Sequence, residues 1–282
     1  MIVARSEREL RHAVDKWRVG GERIGFVPTM GALHAGHLAL VELAQKHASR
    51  VVVSIFVNPT QFDQNDDFAR YPRSPESDAA QLEAAGCDLL FLPEVEAIYP
   101  PGAATRVSVD GPAHGFEGDH RPGHFDGVAT VVAALFGLVR PDVAVFGEKD
   151  AQQLAVVRAL ARDLHYGIEI VAAPIVREPD GLAMSSRNVL LADGERAAAA
   201  VLPRALEAAR ARIAEGERDA AAVAAVIGAV VAAEPRVQLQ YAAAVAADSF
   251  RPLERLAGDV VVPIAARVGA VRLLDNLHVR VD

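Results

Sequence analysis

Two histidines in a glycine-containing turn are the residues whose types and spacing could most directly do chemistry. The run Phe26–His37 has the sequence FVPTMGALHAGH, so a short apolar strand leads into a turn that carries His34 and His37. Imidazoles three residues apart lie on the same side of a first helical turn, where both can donate hydrogen bonds to one anionic group. A helix that starts near Gly36 adds its own N–H groups to such a site. The pattern predicts a phosphate cradle, and the alternative is a solvated pair of surface histidines.

Two amide side chains follow a second apolar run, Val51–Val57. Asn58 comes directly after this run, and Gln61 lies three residues further on. Uncharged amides both donate and accept hydrogen bonds, which suits recognition of hydroxyl and carboxylate groups on a small polar substrate. The alternative is an ordinary turn that Asn58 and the proline after it stabilise.

A glycine and three charged residues, Gly147–Asp150, follow the apolar run Val143–Phe146. The glycine lets a ligand approach the backbone closely, and Lys149 is a compact cation for a carboxylate or phosphate. Asp150 can accept hydrogen bonds from ribose hydroxyls, or it only caps the helix that follows. Gln153 lies about one helical turn after Lys149. This segment is therefore a candidate for binding both a nucleotide and an acid.

A fourth polar segment, Met184–Arg187, combines two serine hydroxyls with a guanidinium. Such a set can hold a polyphosphate through hydrogen bonds and a bidentate cation. The alternative is a helix cap next to a surface arginine.

Histidines four residues apart, at His120 and His124, could suggest a metal site. Pro122 and Gly123 lie between them and disfavour the helix that would hold both rings on one face, and no third ligand is near in the sequence. We therefore expect no metal held by protein ligands, and Arg121 is the better candidate for binding an anion.

The elements that must position these residues are short apolar strands separated by helices. Strands that lack polar alternation and alternate with helices predict a parallel sheet covered on both faces. Ligands of such sheets bind outside the carboxyl ends of the strands, so the loops after Val27, Val57 and Phe146 should converge on one crevice. The predicted strands are Ile24–Val27, Val51–Val57, Asp88–Leu92, Val143–Phe146 and Ile168–Val171, and the predicted helices are Leu38–His47, Asp78–Ala85, Val128–Val139 and Ala151–Leu164.

The character of the sequence changes after about Pro174, where two Ala-rich helical segments precede further strand-like runs. The predicted helices are Asp193–Gly216 and Ala220–Ala233, and the predicted strands are Val237–Val245, Val260–Ala266 and Ala270–Leu274. We therefore predict a doubly wound, Rossmann-like α/β domain over residues 1–175 and a smaller α+β domain over residues 176–282.

Composition limits the classes of partner. The formal net charge of −8 provides no general attraction to nucleic acid or to anionic membranes, so any phosphate site must be local. A single cysteine allows neither an intrachain disulfide nor a cysteine-based metal cluster. The sequence has no signal-peptide pattern at its start and no stretch apolar enough to span a bilayer, so we expect a cytoplasmic protein that binds neither nucleic acid nor membranes.

Taken in order, the motifs resemble the pantothenate synthetase family, which belongs to the HxGH nucleotidyltransferase and class I aminoacyl-tRNA synthetase-like superfamily. The resemblance covers nearly the whole chain. It is carried by Pro28–Gly31 with His34–His37, by Phe56–Phe62, by Gly147–Asp150 and by Met184–Arg187. It implies a homodimeric enzyme that joins pantoate to β-alanine with ATP. The pantoate carboxylate is first activated as pantoyl adenylate with release of pyrophosphate, and β-alanine then displaces AMP.

The resemblance also implies roles for individual residues. The catalytic groups would be His37 as proton donor, His34, Lys149 and Arg187. The residues that bind ATP would be Pro28, Thr29, Met30, Gly31, His34, His37, Gly147, Glu148, Lys149, Asp150, Val176, Met184, Ser185, Ser186 and Arg187. Those that bind pantoate and β-alanine would be Gln61, Gln153, Asn58, Tyr71, Arg121 and His124. Mg²⁺ would be held mainly by the ATP phosphates, and the smaller domain would act as a lid that keeps water from the adenylate.

Three other functions are compatible with parts of the pattern. A related nucleotidyltransferase would transfer the nucleotide to a phosphorylated or alcohol acceptor, but a phosphate acceptor calls for more Arg or Lys than Gln61 and Gln153 supply. An aminoacyl-tRNA synthetase would need a basic surface and room for an anticodon domain. A catalytically inactive nucleotide sensor is the alternative from a different class, and the histidines together with Lys149 argue against it.

Overall fold

The structure, a computed structural model, describes residues 1–62, 68 and 71–282. The chain divides into two compact units. The first comprises Met1–Gly147 and Val156–Ala173, and the second comprises Glu148–Ala155 and Pro174–Asp282. The functional division between residues 175 and 176 stays a prediction.

The first unit is built on a parallel sheet of six strands within the described residues. The strand order is β1-β4-β3-β2-β5-β6, and every neighbouring pair is parallel. After β2 the chain continues to β3, on one side of the sheet, and after β5 it continues to β6, on the other side. Ligands of such sheets bind at the carboxyl ends of the two adjacent strands where the direction of connection reverses, here β2 and β5. The strands are β1 (Ile2–Ala4), β2 (Ile24–Thr29), β3 (Arg50–Ile55), β4 (Leu89–Phe91), β5 (Val143–Gly147) and β6 (Glu169–Ala173).

The longer helices of the first unit pack against the sheet or against one another through buried apolar side chains. Helix α1 begins with a Ser6–Glu9 capping box and buries Leu10, Val14 and Trp17. Phe26, on β2, is fully buried. Burying a side chain of this size stabilises the folded state by about 1.5–3 kcal/mol relative to leaving it exposed. The helices are α1 (Glu7–Val19), α2 (Ala35–His47), α3 (Pro75–Ala84), α4 (Val95–Ile98), α5 (Glu117–His120), α6 (His124–Val139) and α7 (Ala151–Asp163), the last of which crosses from the second unit into the first.

The second unit packs helices against an antiparallel sheet in the order β10-β9-β7, with β8 paired to β9. Its core is aliphatic and includes Leu202, Ile227 and Val262. The elements are α8 (Asp193–Ala199), α9 (Val201–Ala214), α10 (Ala220–Ala232), β7 (Val237–Ala242), β8 (Val245–Ala246), β9 (Gly258–Val268) and β10 (Val271–Val281).

The predicted fold class, a parallel α/β sheet with a smaller α+β part, is confirmed, and the predicted elements are corrected in three places. The predicted helix Asp193–Gly216 is two helices that meet at Ala200, because Pro203 has no N–H for the carbonyl one turn before it. The predicted strand Val237–Val245 is interrupted and forms β7 and β8. The predicted strand Ala270–Leu274 continues to Val281. Asp275 and Asn276 interrupt the apolar pattern, so the sequence-based prediction ended the strand too early.

No helix in the described part of the chain combines the length and the apolar character that crossing a membrane requires.

Candidate active site

The loop between β2 and α2 makes a left-handed turn just before the two histidines. Gly31 and Ala32 both have positive φ, at 83° and 51°. A Cβ at Gly31 would lie 3.0 Å from Ile55 Cγ2 and 3.1 Å from Asp78 Oδ2, in a conformation that side chains rarely adopt. The motif therefore needs a glycine at position 31 both for its backbone angles and for space.

The carboxylate of Asp78 holds this turn. It comes from the first turns of α3, is almost fully buried, and accepts hydrogen bonds from the Ala32 and Leu33 N–H groups, both at 2.9 Å. The Ser74 hydroxyl donates to the same carboxylate at 3.1 Å. Sequence reasoning missed Asp78, because an acidic residue near a helix start is usually explained by its favourable interaction with the helix dipole alone.

His34 and His37 lie ring against ring, with centroids 4.1 Å apart, at the N-terminus of α2. The Gly36 N–H donates to His34 Nδ1 at 3.1 Å, and the His34 N–H donates to His37 Nδ1 at 3.3 Å. A nitrogen that accepts a backbone N–H carries no proton, so each neutral ring has its proton on Nε2. Both rings can thus act as N–H donors without being charged, next to a helix terminus that favours anions.

Asn58 caps and Gln61 ends a 3₁₀ turn, Pro59–Gln61, which begins shortly after β3. Both side chains are buried, and Asn58 Nδ2 donates to Gln61 Oε1 at 3.1 Å. Gln61 Nε2 donates to Met30 Sδ at 3.0 Å, which joins this turn to the histidine loop. The structure therefore brings together residues that follow two neighbouring strands.

Arg121 and His124 converge on the same turn. His124 Nδ1 lies 2.9 Å from the Gln61 carbonyl oxygen, and Arg121 Nη2 donates to that oxygen at 3.3 Å. Arg121 Nη1 also lies 3.1 Å from His124 Nε2. Since a carbonyl only accepts, the His124 proton is on Nδ1, and Nε2 accepts from the arginine. Tyr71 is buried too, with its ring 5.7 Å from that of Phe62, the residue after Gln61.

In the second unit, a buried asparagine from β10 holds the Glu148–Asp150 turn. Asn276 Nδ2 donates to the Glu148 carbonyl at 2.8 Å and to the Lys149 carbonyl at 3.0 Å. Lys149 Nζ lies 3.8 Å from Asp150 Oδ1. Gln153, in the first turn of α7, is half-buried. Asn276 was not predicted from the sequence, where it lies beyond the predicted end of its strand.

The residue next to Asn276, Asp275, is a buried carboxylate in an ion pair. Arg177 binds it through two N–H groups at 2.7 and 3.0 Å. Burial raises the pKa of the Asp275 carboxyl above its usual range, although Arg177 acts in the opposite direction. The pair ties β10 to the segment that begins with Val176.

Val176 and Met184 lie opposite each other across a short antiparallel hairpin. The Met184 N–H donates to the Val176 carbonyl at 2.9 Å, and the hairpin turns at Gly181. Beyond it, the Arg187 N–H donates to Ser185 Oγ at 3.2 Å. The segment predicted to bind adenine and the segment predicted to bind phosphates are thus neighbours.

A buried asparagine and a cluster of opposite charges hold this hairpin. Asn188 Nδ2 donates to Glu178 Oε1 at 2.6 Å and to the Ala183 carbonyl at 3.1 Å. Arg196 forms ion pairs with both Glu178 and Asp180. Hydrogen bonds from Arg196 lower the pKa of both carboxyls, with a further contribution from Asn188 at Glu178.

Among residues 1–62, 68 and 71–282, no three His, Cys, Asp or Glu side chains are grouped so that they could hold a metal ion. The predicted residues fall into two groups. The first unit holds Pro28, Thr29, Met30, Gly31, His34, His37, Asn58, Gln61, Tyr71, Arg121, His124 and Gly147, and the second holds Glu148, Lys149, Asp150, Gln153, Val176, Met184, Ser185, Ser186 and Arg187.

Comparison with known proteins gives matches along the whole chain. A family model described as pantoate-beta-alanine ligase matches residues 2–278. The pantothenate synthetase of Chlorobium luteolum is 50% identical, and the match covers 100% of both chains. The crystal structure of pantothenate synthetase from Thermus thermophilus has a TM-score of 0.92 at 49% identity, covering 98% of this chain and 99% of that chain. The pantoate-beta-alanine ligase of Francisella tularensis, complexed with β-γ ATP and β-alanine, has a TM-score of 0.79 at 32% identity, covering 98% and 97%.

Replacing Asp78 by alanine should destabilise the protein strongly. Asp78→Ala leaves the Ala32 and Leu33 N–H groups without their acceptor, so we expect a loss of about 2–5 kcal/mol in the free energy of unfolding. Urea unfolding of Asp78→Ala measures this loss. Glu76→Ala, an exposed carboxylate in the same helix turn, is the matched control. Equal stability of the two variants would contradict the assignment of Asp78 to the loop.

The Arg196 cluster should make stability depend on pH. Because the folded pKa values of Glu178 and Asp180 are lowered, their stabilisation is present above the unfolded values of about 4 and is lost as pH falls through the folded values. The difference in free energy of unfolding between wild type and Arg196→Met should therefore be larger at pH 7 than at pH 3, as measured in urea. Arg210→Met, which removes only an exposed pair with Glu207, should show little difference at either pH. A difference for Arg196→Met that does not shrink in acid would refute this explanation.

Proposed function

We infer the reaction of this chain from its family, because the chain belongs to the pantoate–β-alanine ligases. The protein condenses pantoate with β-alanine in an ATP-dependent reaction that gives pantothenate, AMP and pyrophosphate through a pantoyl adenylate. The observation that supports the residue assignments best is the histidine pair. Its two rings lie in contact, tilted by 39°, at the start of α2, and in their neutral forms both carry their protons on Nε2.

The first step forms a bond between the pantoate carboxylate and the α-phosphorus of ATP. The bond from that phosphorus to the bridging oxygen breaks, and pyrophosphate leaves. Negative charge accumulates on the phosphoryl oxygens as the bond forms, so fixed N–H donors aimed at those oxygens lower the barrier. We assign this role to the Nε2–H groups of His37 and His34.

In the second step, the amine of β-alanine attacks the acyl carbon of the adenylate. The C–N bond forms, the bond to the phosphate oxygen breaks, and AMP leaves as the amine loses its proton. Activation is needed because a carboxylate is a poor acyl donor, whereas AMP is a good leaving group. Lys149 and Arg187 are proposed to balance the phosphate charge in both steps.

The remaining assignments divide between nucleotide and acid. Residues proposed to bind ATP are Pro28, Thr29, Met30, Gly31, Gly147, Glu148, Asp150, Val176, Met184, Ser185 and Ser186. Those proposed to bind pantoate or β-alanine are Gln61, Gln153, Asn58, Tyr71, Arg121 and His124. The gathering of Arg121 and His124 on the Gln61 carbonyl supports a common acid site in the first unit.

The proposal extends to the cofactor and the assembly. Mg²⁺ would enter with ATP and be held mostly by phosphate oxygens and water, since the described residues group no three metal ligands. We also propose a homodimer in the cytoplasm. Residues 1–175 would bind ATP and pantoate, and residues 176–282 would keep water from the labile adenylate.

Removing His37 should slow adenylation without weakening substrate binding. With wild-type protein we expect pantoate-dependent exchange of labelled pyrophosphate into ATP. For His37→Ala we expect the exchange rate to fall about 10²–10³-fold, with the pantoate KM nearly unchanged, because the lost hydrogen bond acts mainly in the transition state.

The control is His47→Ala, which removes a partly exposed histidine at the other end of the same helix. This variant should exchange pyrophosphate at the wild-type rate. Absence of pantoate-dependent exchange in the wild type would overturn the proposed function. A matching rise in KM for His37→Ala would instead make His37 a residue that only binds substrate.

A further inference from the structure

The side chain of Tyr99 reaches the turn that carries Gln61, although sequence reasoning gave it no role. Tyr99 directly follows α4, and its ring lies 6.1 Å from that of Phe56. Its hydroxyl donates to Asn58 Oδ1 at 2.8 Å. The Thr60 hydroxyl donates to the same oxygen at 2.9 Å, so Tyr99 completes a small polar network beneath the turn.

The main chain around Asn58 determines how its amide is oriented. The Thr60 N–H, which can only donate, lies 3.2 Å from Oδ1. The Gly127 carbonyl, which can only accept, lies 3.1 Å from Nδ2. Exchanging the oxygen and nitrogen of Asn58 would place donor against donor and acceptor against acceptor, so a single orientation satisfies both.

The orientation of Asn58 in turn determines that of Gln61. Asn58 Nδ2 uses its second hydrogen to donate to the Gln61 side chain at 3.1 Å, so the atom facing it must be Oε1. Gln61 Nε2 consequently lies on the other side, 3.0 Å from Met30 Sδ. A thioether sulfur is a weak acceptor, so an oxygen atom of a substrate would form a stronger hydrogen bond with this nitrogen.

The backbone of the turn is packed tightly against α6, which leaves it little room to compensate for a change in these side chains. Gly127, on α6, packs so closely that a Cβ there would lie 2.5 Å from the Thr60 carbonyl oxygen and 2.8 Å from Gln61 Cα. Side-chain orientation, rather than backbone adjustment, therefore decides which atom of Gln61 is offered to a ligand.

We propose that Tyr99 is a positioning residue for pantoate. Its hydroxyl holds Asn58, which holds the Gln61 amide so that Nε2 donates to a hydroxyl or carboxylate oxygen of the acid. The same orientation makes Gln61 a poor partner for the ammonium group of β-alanine, which needs an acceptor. This inference rests on the proposed function, in which Gln61 binds pantoate.

Tyr99→Phe tests the proposal because it keeps the ring and removes only the hydroxyl. The remaining Thr60 donors hold Asn58 less firmly, so we expect the pantoate KM to rise about 3- to 10-fold. The ATP KM and kcat should stay within about 2-fold of the wild type, since the amide acts in binding. Tyr166→Phe is the matched control, because the Tyr166 hydroxyl donates to a backbone carbonyl, that of Ala133, at 3.4 Å.

A double-mutant cycle with Gln61→Ala separates positioning from a general structural role. If Tyr99 acts through Gln61, then Tyr99→Phe will not raise the pantoate KM further in the Gln61→Ala background. The same fold-rise in both backgrounds would overturn the proposal. So would a fall in thermal stability with no change in KM. If Tyr99→Phe does not yield folded protein, Thr60→Val removes the other side-chain donor to Asn58 Oδ1, and the same cycle applies to it.

The cycle also distinguishes failure of this inference from failure of the proposed function. A Gln61→Ala variant with wild-type pantoate KM would show that Gln61 does not bind pantoate, which overturns the residue assignment and the inference together. A raised KM for Gln61→Ala combined with a wild-type KM for Tyr99→Phe would overturn the inference alone.

Discussion

The hydrogen bonds from the Ala32 and Leu33 N–H groups to Asp78 are the interaction on which the histidine site depends. A non-glycine residue in the left-handed region costs about 1–2 kcal/mol, and Ala32 occupies that region. Hydrogen bonds to a charged group contribute about 1.5–3 kcal/mol each, so the two bonds to the Asp78 carboxylate outweigh the strain. The resulting turn makes His34 the N-cap of α2. That placement puts both Nδ1 atoms on backbone N–H groups and so sets the proton position on each ring.

Buried asparagines hold the other candidate segments in a similar way. Asn58 donates to the Gly127 carbonyl, Asn276 to the carbonyls of the Glu148–Lys149 turn, and Asn188 to the Ala183 carbonyl. An amide can make these bonds without bringing a charge into the interior, which would carry a large desolvation penalty. Loops held in this way offer their donors in a fixed geometry. Fixed donors stabilise a transition state well because little reorganisation is needed during the reaction.

The sequence was sufficient for features encoded locally and insufficient for those encoded by distant contacts. Apolar runs located the strands well, and the run Val143–Phe146 differs from β5 by one residue. The short edge strand β1 was missed because two of its three residues are half exposed. The turns with candidate residues were found from glycine, proline and amide spacing. Asp78, Tyr99 and Asn276 were not found, since they contact these turns across 46, 41 and 128 residues of sequence.

Because the net charge is negative, the cations of the proposed site have a role that its neutral histidine donors do not share. A chain with a formal charge of −8 does not attract ATP over long distances, so local cations such as Lys149 and Arg187 must supply that attraction. Their Coulomb field falls off slowly with distance, so it favours bound ATP and the transition state to a similar degree. A neutral Nε2–H donor acts only at hydrogen-bond distance, so it discriminates between oxygen positions that differ by a few tenths of an ångström. Only interactions that strengthen in the transition state raise kcat. The histidines, fixed through Asp78, are therefore the groups that we assign to discrimination between the ground state and the transition state, whereas Lys149 and Arg187 are proposed both to attract ATP and to balance the phosphate charge in the two steps.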